Sequence, residues 1–305
     1  MNKSQKYPLA PIGINVYSRL YHLKKTVDAL LNNDLAKDSI VYFFSDGPKA
    51  GDEKAVSEIR SYLKTVKGFK SKFIIERLTN HNENNGRNGI LHLLEIYGKV
   101  IWMAEDIVTA PGFLSYMNGA LNFYENDKRI FSISGWSPIV KLPKNYNNDT
   151  FIVYRFNPWG FATWKDRFDS IRDIIWNKIS QEEFQILLQN TEQLQKMDNT
   201  MGRDFIQRLK NRMSKEGTIF DIMVMCRQFL TNRFTLMPAK ALAHHIGYDG
   251  SGVNRSLHRF FHVELDMNKK AFIFEEKIKP NNEIVKQSKI PYELHYFEFQ
   301  SIPNK

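Results

Sequence analysis

The sequence predicts an α/β fold in which a mixed, mostly parallel central sheet is flanked by helices. Through the first hundred residues, short apolar runs of strand length alternate with segments whose apolar residues recur at helical spacing, the pattern that builds such a sheet. The chain has 305 residues and is 42% hydrophobic, enough to bury a large core within one elaborate unit.

The elements follow in order. Ile12 to Tyr17 is short and apolar enough for a buried strand, and Leu23, Val27, Leu30 and Leu31 then share one helical face. Ile40 to Phe44 reads as a second strand ending at Ser45-Asp46-Gly47-Pro48, and Val56, Ile59, Leu63 and Val66 mark a second helix. Lys72 to Glu76 is a third strand, Ile90 to Tyr97 a helix, and Val100 to Met103 a fourth strand. Beyond Pro111 the pattern gives a helix from Phe113 to Tyr124, strands near Ile130 to Ser134 and Phe151 to Arg155, and several helices up to Asn232. Residues 1–265 are expected to form one domain. Residues 266–305 alternate charges with aromatics and are expected to pack back on it.

Composition narrows the partners. Lys and Arg outnumber Asp and Glu by 43 to 33, a net charge of +10 that favours a diphosphate-bearing substrate or an anionic membrane surface and is equally compatible with a merely soluble basic surface. Nucleic acid is a further anionic partner that the charge alone would allow, no dense basic run settles the matter, and no nucleic-acid partner is expected. Cys226 is the single cysteine, which excludes an intramolecular disulfide and thiolate metal clusters and suits a reducing compartment. The opening Met-Asn-Lys-Ser-Gln-Lys-Tyr-Pro lacks the apolar centre of a signal peptide, and no apolar run approaches the ~20 residues that span a bilayer. The expectation is a cytoplasmic protein, with peripheral contact at the inner face of a membrane. The phosphate loop, the dinucleotide glycine fingerprint, His-Glu-x-x-His and the Gly-x-Ser-x-Gly elbow are all missing.

In a parallel α/β sheet the chemistry sits just beyond the carboxyl ends of the strands. Those positions hold Ser18-Arg19, Asp46-Gly47, the Asn-rich stretch Asn80 to Asn88 with Arg87 in it, and Glu105-Asp106. The acidic pair suits Mn²⁺ or Mg²⁺ bridging a diphosphate, although a solvated turn has the same spacing. Asp221 opens a helix in apolar surroundings, as a cap, a buried paired charge, or a general base of raised pKa. Three glycines between Gly247 and Gly252 mark a flexible turn or a phosphate-facing lid, and the adjacent His244 and His245 point to opposite faces, so at most one reaches a shared metal. His258 and His262 lack the Glu of a zinc motif and read as surface residues. Trp136 and Trp159 occupy Gly-bearing aromatic turns suited to stacking on sugars.

Five segments in order resemble bacterial GT-A-type glycosyltransferases, with a distant similarity to N-acetylglucosaminyltransferase I: Phe44-Ser45-Asp46-Gly47-Pro48-Lys49, Tyr97-Gly98-Lys99-Val100, Glu105-Asp106 with Ala110-Pro111-Gly112-Phe113, Ser132-Ile133-Ser134-Gly135-Trp136, and Ile246 to Gly252. The resemblance implies a nucleotide-sugar half over about 1–110 and an acceptor half over about 111–265. It implies Arg19, Asp46, Arg87, Glu105, Gly247 and Ser251 as donor contacts, probed most simply with UDP-sugars. It further implies Asp106 as direct metal ligand with Glu105 beside it, Asp221 as base of an inverting transfer, and Trp136 and Trp159 at the acceptor. A glycan or lipid-linked glycan acceptor in surface polysaccharide or O-antigen synthesis is the implied setting. Relatives carry a third acid where this chain has Ala104. A retaining transferase, a nucleotidyltransferase on the same fold, and a non-catalytic carbohydrate-binding protein are the alternatives.

Overall fold

The computed structural model describes residues 8–172, 181–213, 220–251 and 259–300. Its first half is built from β1 (Ile12–Val16), α1 (Leu20–Leu31), β2 (Ile40–Ser45), α2 (Glu53–Thr65), β3 (Ser71–Glu76), α3 (Glu83–Tyr97) and β4 (Lys99–Ala104). The second half adds β5 (Ile107–Thr109), α4 (Phe113–Phe123), β6 (Ile130–Ser134), β7 (Thr150–Val153), β8 (Phe161–Trp164), β9 (Phe234–Pro238) and β10 (Ala243–His245), with further helices before β9 and after β10. Eight strands form one mixed sheet in the order β3-β2-β1-β4-β8-β6-β9-β7, and β5 pairs with β10 in a small second sheet.

The pairings fix which edge carries the chemistry. β1 is parallel to β2 and β4, β2 to β3, and β6 to β9, while β8 runs antiparallel to both β4 and β6. The carboxyl ends of β1, β2, β4 and β6 therefore meet the amino end of β8 on one edge. The register states this directly: Val16 pairs with Ser45, Asn15 with Ala104, Trp102 with Phe161, and Phe161 with Ser134.

Helical amphipathicity supplies the cover. α1 buries Leu23, Val27 and Leu30, and α2 buries Val56, Ile59 and Leu63, each set recurring at three- and four-residue spacing. Apart from Val56, these side chains join the fully buried β1 and β2 residues Ile12, Ile14, Val16, Val41 and Phe43 in one core.

Two sequence expectations are corrected. α3 begins at Glu83 rather than Ile90, so most of the Asn-rich stretch is helix and not loop. Tertiary bonding overrides the weak local propensity there: the buried Asn85 amide donates to Asn15 Oδ1 at 2.8 Å and to the Phe44 carbonyl at 3.0 Å. Phe161 to Trp164 reads in sequence only as the end of an aromatic turn, yet it is β8, at the centre of the sheet. Four residues between Gly160 and the helix at Lys165 are too few to show a strand period.

The segment after residue 265 lies against the sheet and the aromatic turns. Ile284 and Val285 pack with Phe151, Val153 and Met237, and Tyr292 packs with Trp136 and Phe261. No helix among the described residues is long and apolar enough to cross a membrane.

Candidate active site

At the common edge a cleft of about 380 Å³ opens, lined by residues from both halves of the chain: Asn15, Arg87, Trp102, Asp106, Trp159 and Asp221, with His245, Phe161 and Phe220 among the rest. Its size and its apolar walls with a few polar groups match a small-molecule site.

Trp102 forms part of the wall because glycine makes room for it. A Cβ on Gly13 of β1 or on Gly89 of α3 would collide with the Trp102 ring. Sequence reasoning placed Trp102 in a strand and missed its role. Gly13, Gly86 and Gly89, clustered around one indole, are the signal that identifies it.

The acidic pair sits in the tight connection from β4 to β5. Thr26 of α1 holds this turn through a 2.8 Å hydrogen bond to the Glu105 carbonyl, and the Ile246 amide holds it by donating to the Asp106 carbonyl at 2.9 Å. Both carboxylates are buried, but they are engaged differently. Glu105 Oε2 accepts from the Tyr17 amide at 2.6 Å and Oε1 from Arg19 Nε at 3.1 Å, so both its oxygens are used within the protein. Its carboxylate thereby orients Arg19 and the end of β1, beside Asp106, the expected direct metal ligand. Asp106 Oδ2 is paired with Arg19 Nη2 and lies 3.2 Å from His245 Nε2, whereas its Oδ1 is buried with no hydrogen-bond partner among the described residues.

These contacts move the two groups in opposite directions. Burial pushes Glu105 above the usual carboxylate range and outweighs the Tyr17 amide and Arg19. Burial also pushes Asp106 upward, but the hydrogen bond and charge of His245, followed by Arg19, overcome it and hold Asp106 at about 2.

The donor set fits a divalent cation in a limited way. An ionised carboxylate oxygen without a hydrogen-bond partner, on a residue that lines the cleft, is a ligand to spare, while Nε2 of the adjacent imidazole is already engaged by Asp106 Oδ2. No group of three or more His, Cys, Asp or Glu suited to holding a metal occurs among the described residues. The cation's remaining ligands would have to come from the bound substrate and water.

Period-two alternation in β10 separates the two histidines. His245 pairs in register with Ile107 and turns to Asp106, while His244 turns to His262, with ring centroids 4.9 Å apart. Burial, then the neighbouring His262 and His245, lower His244 to about 4. His262 is exposed, and His258 lies outside the described residues.

Gly247 follows β10 and is buried directly over the acidic pair. A Cβ there would land on Asp106 Oδ2 and come within 2.7 Å of Arg19 Nη1. Gly247→Ala is therefore expected to displace Asp106 or the loop and to cost about 1–3 kcal/mol of stability, checked by urea unfolding. Ser251 stands further out and is exposed, donating to Asp249 Oδ1 at 2.6 Å, while Asp249 Oδ2 lies 3.0 Å from His22 Nε2 of α1. The loop is thus tethered to the first half through Asp249, and Ser251 does not line the cleft. Its continuation through Gly252 and Asn254 lies outside the described residues.

Of the other expected site residues, Arg87 and Trp159 line the cleft and Asp46 does not. Asp46 Oδ1 accepts from the Gly47 and His81 amides, both at 2.9 Å, joining the loops after β2 and β3. Trp136 is fully buried and donates through Nε1 to the Phe261 carbonyl at 3.3 Å. That corrects the expectation of a sugar platform. Trp136 packs edge-on to Trp159 at 5.1 Å and supports the ring that does reach the cleft.

Asp221, half-buried in the first turn of the helix Phe220–Leu230, brings a second carboxylate to the same cleft. Burial raises its pKa against the opposing pull of Arg208 and Arg155. Among the described residues lining the cleft, Asp106 and Asp221 are the carboxylates.

No family model matches the sequence, and no curated protein matches it. Among solved structures the chain is similar to S. aureus TarS 1-349, with a TM-score of 0.45 and 11% identity, covering 78% of this chain and 60% of that one. It is similar to the same protein in complex with UDP, with a TM-score of 0.42 and 12% identity over 76% of this chain and 59% of that one. A third likeness is to the mannosyltransferase PcManGT from Pyrobaculum calidifontis in complex with GDP-Man and Mn²⁺, with a TM-score of 0.37 and 13% identity over 55% of this chain and 50% of that one. The chain thus spans less than two thirds of the length of each. Likenesses this remote leave the activity to be argued from the chain's own residues.

Proposed function

We propose that the cleft transfers a sugar from a nucleotide-diphosphate donor, a UDP-sugar, to a hydroxyl of a glycan acceptor with inversion at the anomeric carbon. The observation that carries this is the meeting in one cleft of two carboxylates in different states. Asp106 is held ionised at the strand edge, and Asp221 is raised by burial on a separate helix.

Asp221 is the general base in this reading. It takes the proton of the acceptor hydroxyl as that oxygen bonds to the anomeric carbon, while the bond from that carbon to the diphosphate oxygen breaks and the nucleotide diphosphate leaves. A raised pKa strengthens a carboxylate as a proton acceptor. Trp159 offers its ring to the acceptor sugar, and Arg87, Asn15 and Trp102 line the region available to the donor. Asp106 Oδ1, with His245 beside it, would hold Mn²⁺ or Mg²⁺, whose chemistry is to neutralise the departing diphosphate. A retaining double displacement requires a second carboxylate at the anomeric carbon, and the cleft lining offers Asp221 besides the ionised Asp106. The net charge of +10 agrees with an anionic donor and with work on a lipid-linked glycan at the inner face of a bacterial membrane, in surface polysaccharide synthesis.

The test is UDP release from a panel of UDP-sugars with Mn²⁺, with and without saccharide acceptors, followed by NMR of the product. Acceptor-stimulated release with inverted anomeric configuration is expected. Retained configuration would reject Asp221 as the sole base, and no release with any nucleotide-sugar would reject the transferase reading.

A further inference from the structure

Arg19 follows β1 and reaches across to the β4–β5 turn, and its guanidinium spans both acids, with Nε on Glu105 and Nη2 on Asp106. We propose that Arg19 acts as a resident cation that keeps free divalent metal out of the acidic pair, so that the metal enters only together with a diphosphate. The inference rests on the donor reading above and concerns what this chain's own residues do before the donor arrives.

Three observations support it. The first is the count of available ligands. Both Glu105 oxygens are used by Tyr17 and Arg19, and Asp106 Oδ2 is shared by Arg19 and His245, which leaves Oδ1. A hard cation that wants about six ligands gains too little from one oxygen, or from that oxygen and one imidazole, to give up its water. The second is charge. Two buried carboxylates against one guanidinium, with the His245 imidazole also on Asp106, leave at most a single negative charge, and a dication added alone would reverse the sign of a desolvated site, which is costly. A diphosphate arriving with the metal supplies both the missing ligands and the missing negative charge. The third is confinement. A Cβ on Gly247 would fall on Asp106 Oδ2 and within 2.7 Å of Arg19 Nη1, so the loop that follows β10 covers the guanidinium on this side. Lys would keep the charge without the fork that grips both acids, and Gln would remove the charge.

The probe is Mn²⁺ itself, followed by the loss of its solution electron paramagnetic resonance signal on titration with full-length protein, with and without UDP. Wild-type protein is expected to bind Mn²⁺ at least about tenfold more weakly without UDP than with it. Arg19→Gln is expected to bind Mn²⁺ alone at least about tenfold more tightly than wild type, with the dependence on UDP correspondingly reduced, and Arg19→Lys to stay near wild type. Wild-type protein that binds Mn²⁺ equally well with and without UDP overturns the proposal and, by reciprocity, the metal dependence of UDP binding with it. A folded Arg19→Gln protein, by circular dichroism, with wild-type Mn²⁺ affinity overturns the proposal and leaves the donor reading standing. No Mn²⁺ binding by wild type even with UDP present overturns the proposal together with the donor reading, and UDP binding in EDTA would show that result separately.

Discussion

Asp221→Asn is expected to lower sugar transfer by about 10²- to 10⁴-fold while leaving UDP affinity within about twofold of wild type. The side chain keeps its size at the start of the helix Phe220–Leu230, so the change removes a proton acceptor with little effect on packing. The pH profile gives an independent readout. A base works only when ionised, and burial raises Asp221, so activity should fall away as the pH drops through a range above that of an ordinary carboxylate. The residual activity of Asp221→Asn should lack this acid limb. An unchanged profile would assign the limb to another group.

Asp204→Ala is expected to cost about 3–5 kcal/mol of stability, measured by urea unfolding. Asp204 and Arg155 are almost completely buried and paired through two bonds of 2.9 Å, with Tyr292 covering the guanidinium at 3.7 Å from its ring centre. Removing the carboxylate strands a charge that cannot reach water, which costs more than the net worth of the pair. The double replacement Arg155→Met with Asp204→Leu should recover most of the loss, because it deletes both charges at roughly constant volume.

The first half of the fold is legible in the sequence because its strands and helices each bury a continuous apolar face. Leu23, Val27 and Leu30 announce α1 as plainly as Ile12, Ile14 and Val16 announce β1. The second half is harder to read. β8 is four residues long and flanked by aromatic turns, and the start of α3 depends on Asn85 bonding to β1 and β2 rather than on local preference. The site divides in the same way. Glu105, Asp106 and Asp221 stand out as acids after or within apolar runs. Their division of labour does not, because it depends on Tyr17 and Arg19 after β1 and on His245 at the end of β10, far apart in the chain. Trp136 and Trp159 occupy similar turns, and only packing shows that one supports the other. Arg155 and Asp204 lie 49 positions apart, and nothing in the sequence marks them as a pair.

Calorimetric binding of UDP to wild type and to Asp106→Ala, each with Mn²⁺ and with EDTA, tests the central claim most directly. Binding that requires Mn²⁺ in wild type and is lost in Asp106→Ala is the predicted result. Equal binding by both proteins, or none by wild type with Mn²⁺ present, would contradict the assignment of this cleft to a metal-held nucleotide diphosphate.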